Sequence, residues 1–167
     1  MAAASLYTTA ADLTRFLQAH LPGPHGEPIG RHVLAAGTVE QMWAPEASRL
    51  GRDLWGLGTI LYARNAAGRF VVGHEGSNPP AIHAAVRLDP DTGNGIVVLA
   101  TGVPWLATKL AGEWVFWETG NADVFAFMVG LDRTLWKAAA GAVGIVAGAM
   151  LLAASRMPRG SSTARAC

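Results

Sequence analysis

The sequence predicts an α+β fold, an antiparallel sheet flanked by helices, followed by one C-terminal transmembrane helix. Three observations carry this reading. Residues 55–100 alternate short apolar runs with short turn segments, the pattern of consecutive strands in an antiparallel meander. Helix signals stand on both sides of that region. Leu135 to Ala154 is broken by one charge only, Lys137, and about 20 residues at 1.5 Å rise span a hydrocarbon core of roughly 30 Å.

Taken in chain order, Thr9-x-x-Asp12 is a capping-box-like start, with Asp where Glu or Gln is usual. Ala10, Leu13, Leu17 and Leu21 recur at helical spacing with Phe16 beside them, and Pro22-Gly23-Pro24 ends the helix. Residues 22–32 form a loop. Thr38-x-x-Gln41 caps a short second helix through Met42 and Trp43, closed by Pro45. Strands are predicted over Trp55–Tyr62, Arg69–His74, Ala81–Leu88 and Ile96–Ala100. Arg64–Gly68 is a hairpin turn, Glu75–Pro80 a loop and Asp89–Gly95 a turn. After Pro104 a helix runs from about Trp105 to Trp117, with Leu106, Leu110, Trp114 and Trp117 near one face. Helices at both sequence ends of four strands imply a sheet covered by helices.

The organisation that follows is a soluble domain over residues 1–120, a juxtamembrane linker over 121–134, a transmembrane helix over 135–155 and a basic cytoplasmic tail over 156–167. Trp136 suits an interfacial anchor and Lys137 can snorkel. The run is rich in Ala and Gly rather than Leu, and its length and position favour lipid over a buried core. Gly144-x-x-x-Gly148 offers a small-residue packing face. Arg156, Arg159 and Arg165 outnumber Arg133 and Lys137, which places the tail inside and the soluble part outside a cell membrane crossed once.

Composition agrees with a lipid-exposed segment. Apolar residues make up 51% and charged residues 15%, against averages of roughly 45–50% and about 25%. A net charge of +1 offers no concentrated basic face, so nucleic acid is not an expected partner. The one cysteine, Cys167, has no partner within the chain and lacks the residues a prenylation box needs. Met1 to Ser5 hold no basic residue followed by an apolar run and are not a signal peptide.

Chemistry concentrates at Gly73-His74-Glu75-Gly76-Ser77-Asn78, where a strand enters a loop. Taken alone, a histidine after an apolar strand reads as a structural hydrogen-bonding partner. His20, His25, His32 and His83 have no tight metal spacing and no accompanying Cys pair, so no metal is expected. Gly56-Leu57-Gly58 lacks the rest of a dinucleotide fingerprint, and no G-x-S-x-G elbow occurs. No cofactor is expected.

The order of motifs changes the reading. Ser5-Leu6-Tyr7-Thr8-Thr9-Ala10-Ala11-Asp12-Leu13-Thr14-Arg15-Phe16-Leu17 resembles the "GLYSTAADLARFL" helix start common in the serine β-lactamase-related, penicillin-binding-protein-like hydrolases. Trp55-Gly56-Leu57-Gly58, His74-Glu75-Gly76-Ser77-Asn78-Pro79, Leu88-Asp89-Pro90-x-x-Gly93 and Gly95-Ile96-Val97-Val98-Leu99 follow in that family's order and at about its spacing. The resemblance is class C β-lactamase-like, spans roughly Ser5 to Trp117, and implies the C-terminal portion of a β-lactamase/transpeptidase-like fold.

The resemblance further implies a serine of an S-x-x-K motif attacking an acyl or β-lactam carbonyl, with Lys and a Y-x-N or Y-x-S tyrosine handling the proton. A third motif, K-T-G or H-x-G, edges the site, and His74-Glu75-Gly76 matches it. His74 would be the catalytic group of this chain, offering a donor or positive charge to a substrate carboxylate or to the proton relay. Glu75, Gly76, Ser77 and Asn78 would bind substrate. Gly76 would let the backbone approach the acyl group, and the Ser77 N–H would face the oxyanion.

The departures are specific. No serine of the 167 residues has lysine three positions on, and neither Tyr7-x-Thr9 nor Tyr62-x-Arg64 matches the tyrosine motif. Pro79-Pro80 replaces the commoner Pro-Gly, and Thr101 stands where the family usually has Asn. The chain therefore reads as a fragment of a membrane-anchored serine hydrolase of the β-lactamase, D,D-peptidase or esterase type, inactive alone. Its partners are a membrane and, once completed by an N-terminal half, a small-molecule or peptide substrate. A non-catalytic membrane-tethered binding module, or one half of a split protein, are the competing readings.

Overall fold

The computed structural model describes residues 6–78, 82–103 and 105–156. They divide into two compact units, Met1–Met128 and Val129–Cys167.

The first unit is built on six antiparallel strands in simple sequence order. These are β1 (Ala47–Arg49), β2 (Arg52–Trp55), β3 (Ile60–Arg64), β4 (Phe70–Asn78), β5 (Ile82–Leu88) and β6 (Gly95–Thr101). A meander of this kind needs only short turns. There are two more strands than expected: the predicted strand Trp55–Tyr62 is two, β2 and β3, and β1 lies before any predicted strand. Gly56 to Gly58 turn the chain between β2 and β3, with Gly58 at φ 71° and the Gly56 N–H donating to Thr59 O. An added Cβ on Gly56 would stand 2.1 Å from Met42 O, so the glycine permits a backbone crossing, not a strand.

Alternation sends the strands' side chains to two helical layers. On one face Leu61, Val72 and Leu88 join Leu17 of α1 (Ala10–Gln18) and Val39 and Trp43 in and after α2 (Ala36–Met42). The predicted cap of α1 is present: Thr9 Oγ1 accepts from the Asp12 N–H at 3.2 Å and donates to its carboxylate at 2.8 Å. Arg31 holds the other end, donating to Gln18 O and Leu21 O. The expected cap at Thr38 is not used. The second helix starts three residues earlier, with Ala35 in the cap position and no side-chain cap.

On the opposite face Ile60, Tyr62 and Val71 pack with Leu54 and with Val115 of α3 (Leu106–Thr119), while Ala85 packs with Ala107 and Ala111. The buried side of α3 is therefore Ala107, Thr108, Ala111, Gly112 and Val115. Leu110 and Trp117 are exposed. Small residues let the helix axis lie close to the sheet, which a Leu/Trp face would prevent.

The last helix, α4 (Val124–Arg156), is one continuous element of 33 residues. It begins at Val124, upstream of the uncharged run. Val124, Phe125 and Met128 belong to the first unit and pack against its core. In the second unit its apolar side chains, among them Val143, Ile145 and Leu151, are exposed. The helix is long and apolar enough to cross a membrane, with mean hydropathy 1.9 over its best window and none of that window buried. Met1 to Ser5, Pro79, Pro80 and the tail from Met157, with Arg159 and Arg165, lie outside the described residues.

Candidate active-site strand

β4 does not end at His74 as the sequence suggested but runs on to Asn78, paired residue for residue with β5 from Val72↔Leu88 to Asn78↔Ile82. Alternation then splits the five candidate residues between the two faces. His74, Gly76 and Asn78 share the α1/α2 face, and Glu75 and Ser77 the other.

His74 is exposed, and its Nδ1 donates to the carbonyl of Glu75 at 2.6 Å. That bond fixes the tautomer and leaves Nε2 without a partner among the described residues. A small cleft of about 80 Å³ lies between this strand and α1 and α2, lined by Phe16, His20, Met42 and Trp43 together with His74.

Gly76 is exposed, and among the described residues a Cβ added there would meet only the Cβ of Ala84, at 3.6 Å. That is ordinary contact. Gly73 is the opposite case: its Cβ would stand 2.0 Å from Val86 O. The fold requires a glycine at 73 and does not require one at 76. Asn78 closes the strand, exposed.

Behind the strand, the Ser77 hydroxyl is 3.0 Å from Nδ1 of His83, its cross-strand neighbour. His83 is buried, and its Nε2 has no partner among the described residues. The Ser77 side chain is thus held on the back face, away from His74.

Glu75, expected on the substrate side, has its carboxylate on the back face in a buried ionic cluster. Arg87 is fully buried. It donates to Glu75, to Asp123 Oδ2 from Nε at 3.1 Å and from Nη2 at 3.0 Å, and to Val86 O at 3.0 Å. Thr108 of α3 donates to the second oxygen of Glu75. The guanidinium lies 3.4 Å from the centroid of the Tyr62 ring, a stacked cation–π contact in a desolvated place. Asp123 also accepts from the Ala126 N–H at 2.8 Å and so caps the start of α4. Arg87 thereby ties the site strand to the residue that caps α4, and Glu75 ties it to α3 through Thr108.

Sequence reasoning did not find this cluster. The available signal was Arg87 inside the apolar strand Ala84-Ala85-Val86-Arg87-Leu88, because a buried guanidinium demands a carboxylate. Its partners, 12 residues before and 36 after, leave no local mark.

Tyr62 completes the cluster. Its hydroxyl is buried with no partner among the described residues. Burial pushes the phenol above its ordinary range; Arg87 opposes this, and Glu75 and Asp123 add to it. The folded state therefore holds the proton at pH values where the unfolded chain releases it. Stability present below about pH 10 is lost as pH rises past that value. Tyr62→Phe is expected to remove this loss and to raise the pH at which the sheet unfolds. Circular dichroism and phenolate absorbance followed together from pH 9 to 12 test it: identical alkaline midpoints in the two proteins would refute the assignment.

The model of the family described as Beta-lactamase matches residues 1–116, more than half of the chain. No curated protein and no solved structure matches it.

Proposed function

This chain belongs to the β-lactamase family, and we propose that it supplies the H-x-G strand of a membrane-anchored serine hydrolase acting on an acyl substrate. The nucleophile and its base come from a segment carrying S-x-x-K and Y-x-N, which the 167 residues do not contain. The observation that carries the reading is the pairing of His74 with Gly76: same strand, same face, both exposed, and a glycine the fold does not need.

In this reading the seryl oxygen adds to the carbonyl of a β-lactam, a D-amino-acid peptide or an ester, and its proton passes to the Lys/Tyr pair. The tetrahedral oxyanion is met by the backbone N–H of Ser77, whose side chain is already engaged by His83. His74 presents Nε2 to a substrate carboxylate or to the departing group. Gly76 leaves room for the acyl chain to lie along the strand. Glu75 does not touch substrate; Arg87 and Thr108 hold it from behind and so fix the orientation of the strand.

The helix over 135–155 is the anchor, a single pass with the catalytic part outside and a basic tail inside. Exposed Val143, Ile145, Met150 and Leu151 on a helix with hydropathy 1.9 support this, since lipid satisfies such a surface and water does not. The absence of S-x-x-K favours a second reading, a tethered module that binds an acyl ligand without turning it over.

Labelling with a fluorescent penicillin and a fluorophosphonate separates the two. Native membranes are labelled, the polypeptide containing this sequence is captured with its partners, and the modified serine is located by mass spectrometry. The expected result is a labelled serine in an S-x-x-K segment outside residues 1–167, with the chain expressed alone unlabelled. Captured material with no labelled serine would leave the binding module.

A further inference from the structure

The β1–β2 hairpin tip, Arg49-Leu50-Gly51-Arg52, is built against the interests of the fold. Leu50 and Gly51 both have positive φ, 53° and 72°, as the two central positions of a type I′ turn require. Asn or Asp normally takes the first of these places, because a bulky side chain in the left-handed region is strained. Here it is a leucine, and it is 84% exposed. Arg49 and Arg52 are paired directly across the hairpin, an unfavourable like-charge arrangement. Both are exposed, and neither makes a salt bridge among the described residues, whereas Asp53 is taken by Arg64 at 3.5 Å. Strain, like charge and an exposed leucine coincide at four consecutive residues, and none of the three helps the chain fold.

The same residues line an open cleft of about 730 Å³ whose other wall includes Phe127 and Met128 of the first turns of α4. Phe127 is 63% exposed. The cleft therefore pairs two guanidinium groups with an apolar floor, and among the described residues its only carboxylate is the one held by Arg64. Anionic amphiphiles complement that combination: phosphate to the arginines, acyl carbon to Leu50 and Phe127.

We propose that this hairpin and cleft are a contact surface for the anionic lipid headgroups of a bilayer, with Leu50 entering the interface between Arg49 and Arg52 at phosphate level. The proposal rests on the membrane reading above, which supplies the bilayer. It adds a second, electrostatic attachment, made by the sheet unit rather than by the apolar helix.

The test uses the full chain with Cys167→Ser and Leu50→Cys, carrying a polarity-sensitive fluorophore at position 50. It is reconstituted into phosphatidylcholine vesicles with and without phosphatidylglycerol. Quenching by a headgroup-region spin-labelled lipid reports contact, and retention after alkaline extraction reports insertion of the helix. Expected are strong quenching and a blue shift in the anionic vesicles only, weakened by salt. Arg49→Gln with Arg52→Gln should abolish both, since each arginine is worth roughly fivefold near such a surface and the pair about 30-fold. Retention without anion-dependent quenching would overturn the hairpin proposal and leave the anchor standing. Quenching without retention would support the hairpin and remove the anchor. Neither signal, or quenching unaffected by the arginine changes, overturns the proposal.

Discussion

Arg87→Met is expected to destabilise the sheet unit by about 3–5 kcal/mol, the cost of leaving buried carboxylates without their counter-charge. Glu75 and Asp123 would both remain, and the Arg87 side chain that now answers them has no solvent exposure at all. A domain is commonly stable by only 5–15 kcal/mol, so this change removes a large part of the margin. Urea unfolding of the full chain in detergent, followed by near-ultraviolet circular dichroism, measures it. Two further substitutions, Glu75→Gln and Asp123→Asn, should restore much of the loss, because neutral groups of the same shape are far cheaper to bury. A loss below about 1 kcal/mol for Arg87→Met would show that water reaches the cluster and that it does not hold the sheet. The effect should extend to the site. The Glu75 carbonyl accepts from His74 while its carboxylate is fixed by Arg87 and Thr108, so the same residue is anchored behind and orients the imidazole in front.

What the sequence made legible follows the range of the interactions involved. The cap at Thr9, a turn within Arg64–Gly68 and the strand β5 are written in neighbouring residues, and they stand within the spans the spacing gave them. Trp55–Tyr62 was misread because a glycine pair inside an apolar run looks the same whether it permits a close approach within a strand or a turn between two strands. The distinction depends on Met42 O, more than a dozen residues away. The buried face of α3 was hidden for a related reason. Large apolar residues at helical spacing attract attention, yet the sheet selected Ala107, Ala111 and Gly112, whose smallness matters only once the helix is pressed against Ala85 and beside Ala126. At the candidate site the motif was visible as a string, but its division into two faces was not. Extending β4 to Asn78 turns Glu75 inward, and the reason for a glutamate there is Arg87, which no local pattern connects to it.

The two glycines of β4 offer the sharpest separation of fold from function. Gly73→Ala would place a Cβ 2.0 Å from a backbone carbonyl. Backbone cannot rotate away as a side chain can, so the strand pair must shift. Overpacking of this kind costs about 1–3 kcal/mol, and unfolding of the purified chain should show it. Among the described residues Gly76→Ala meets nothing but a methyl group at contact distance, and its stability should stay within about 0.5 kcal/mol of the parent. In the completed hydrolase, however, the new methyl group stands on the exposed face beside His74, where the acyl group would lie. Displacing the reacting carbonyl by about 1 Å can lower the rate on the order of 100-fold. Acylation by a fluorescent penicillin, timed on labelled membranes, should therefore fall by about that factor for Gly76→Ala at unchanged protein level. Gly73→Ala should reduce the amount of folded protein and, per folded molecule, change the rate far less. If both variants lose stability alike and neither alters the rate per folded molecule, the exposed glycine is an accident of the strand and β4 does not face a substrate. If Gly76→Ala alone slows acylation, a glycine that the described fold does not need is accounted for by the acyl group it was left open to receive.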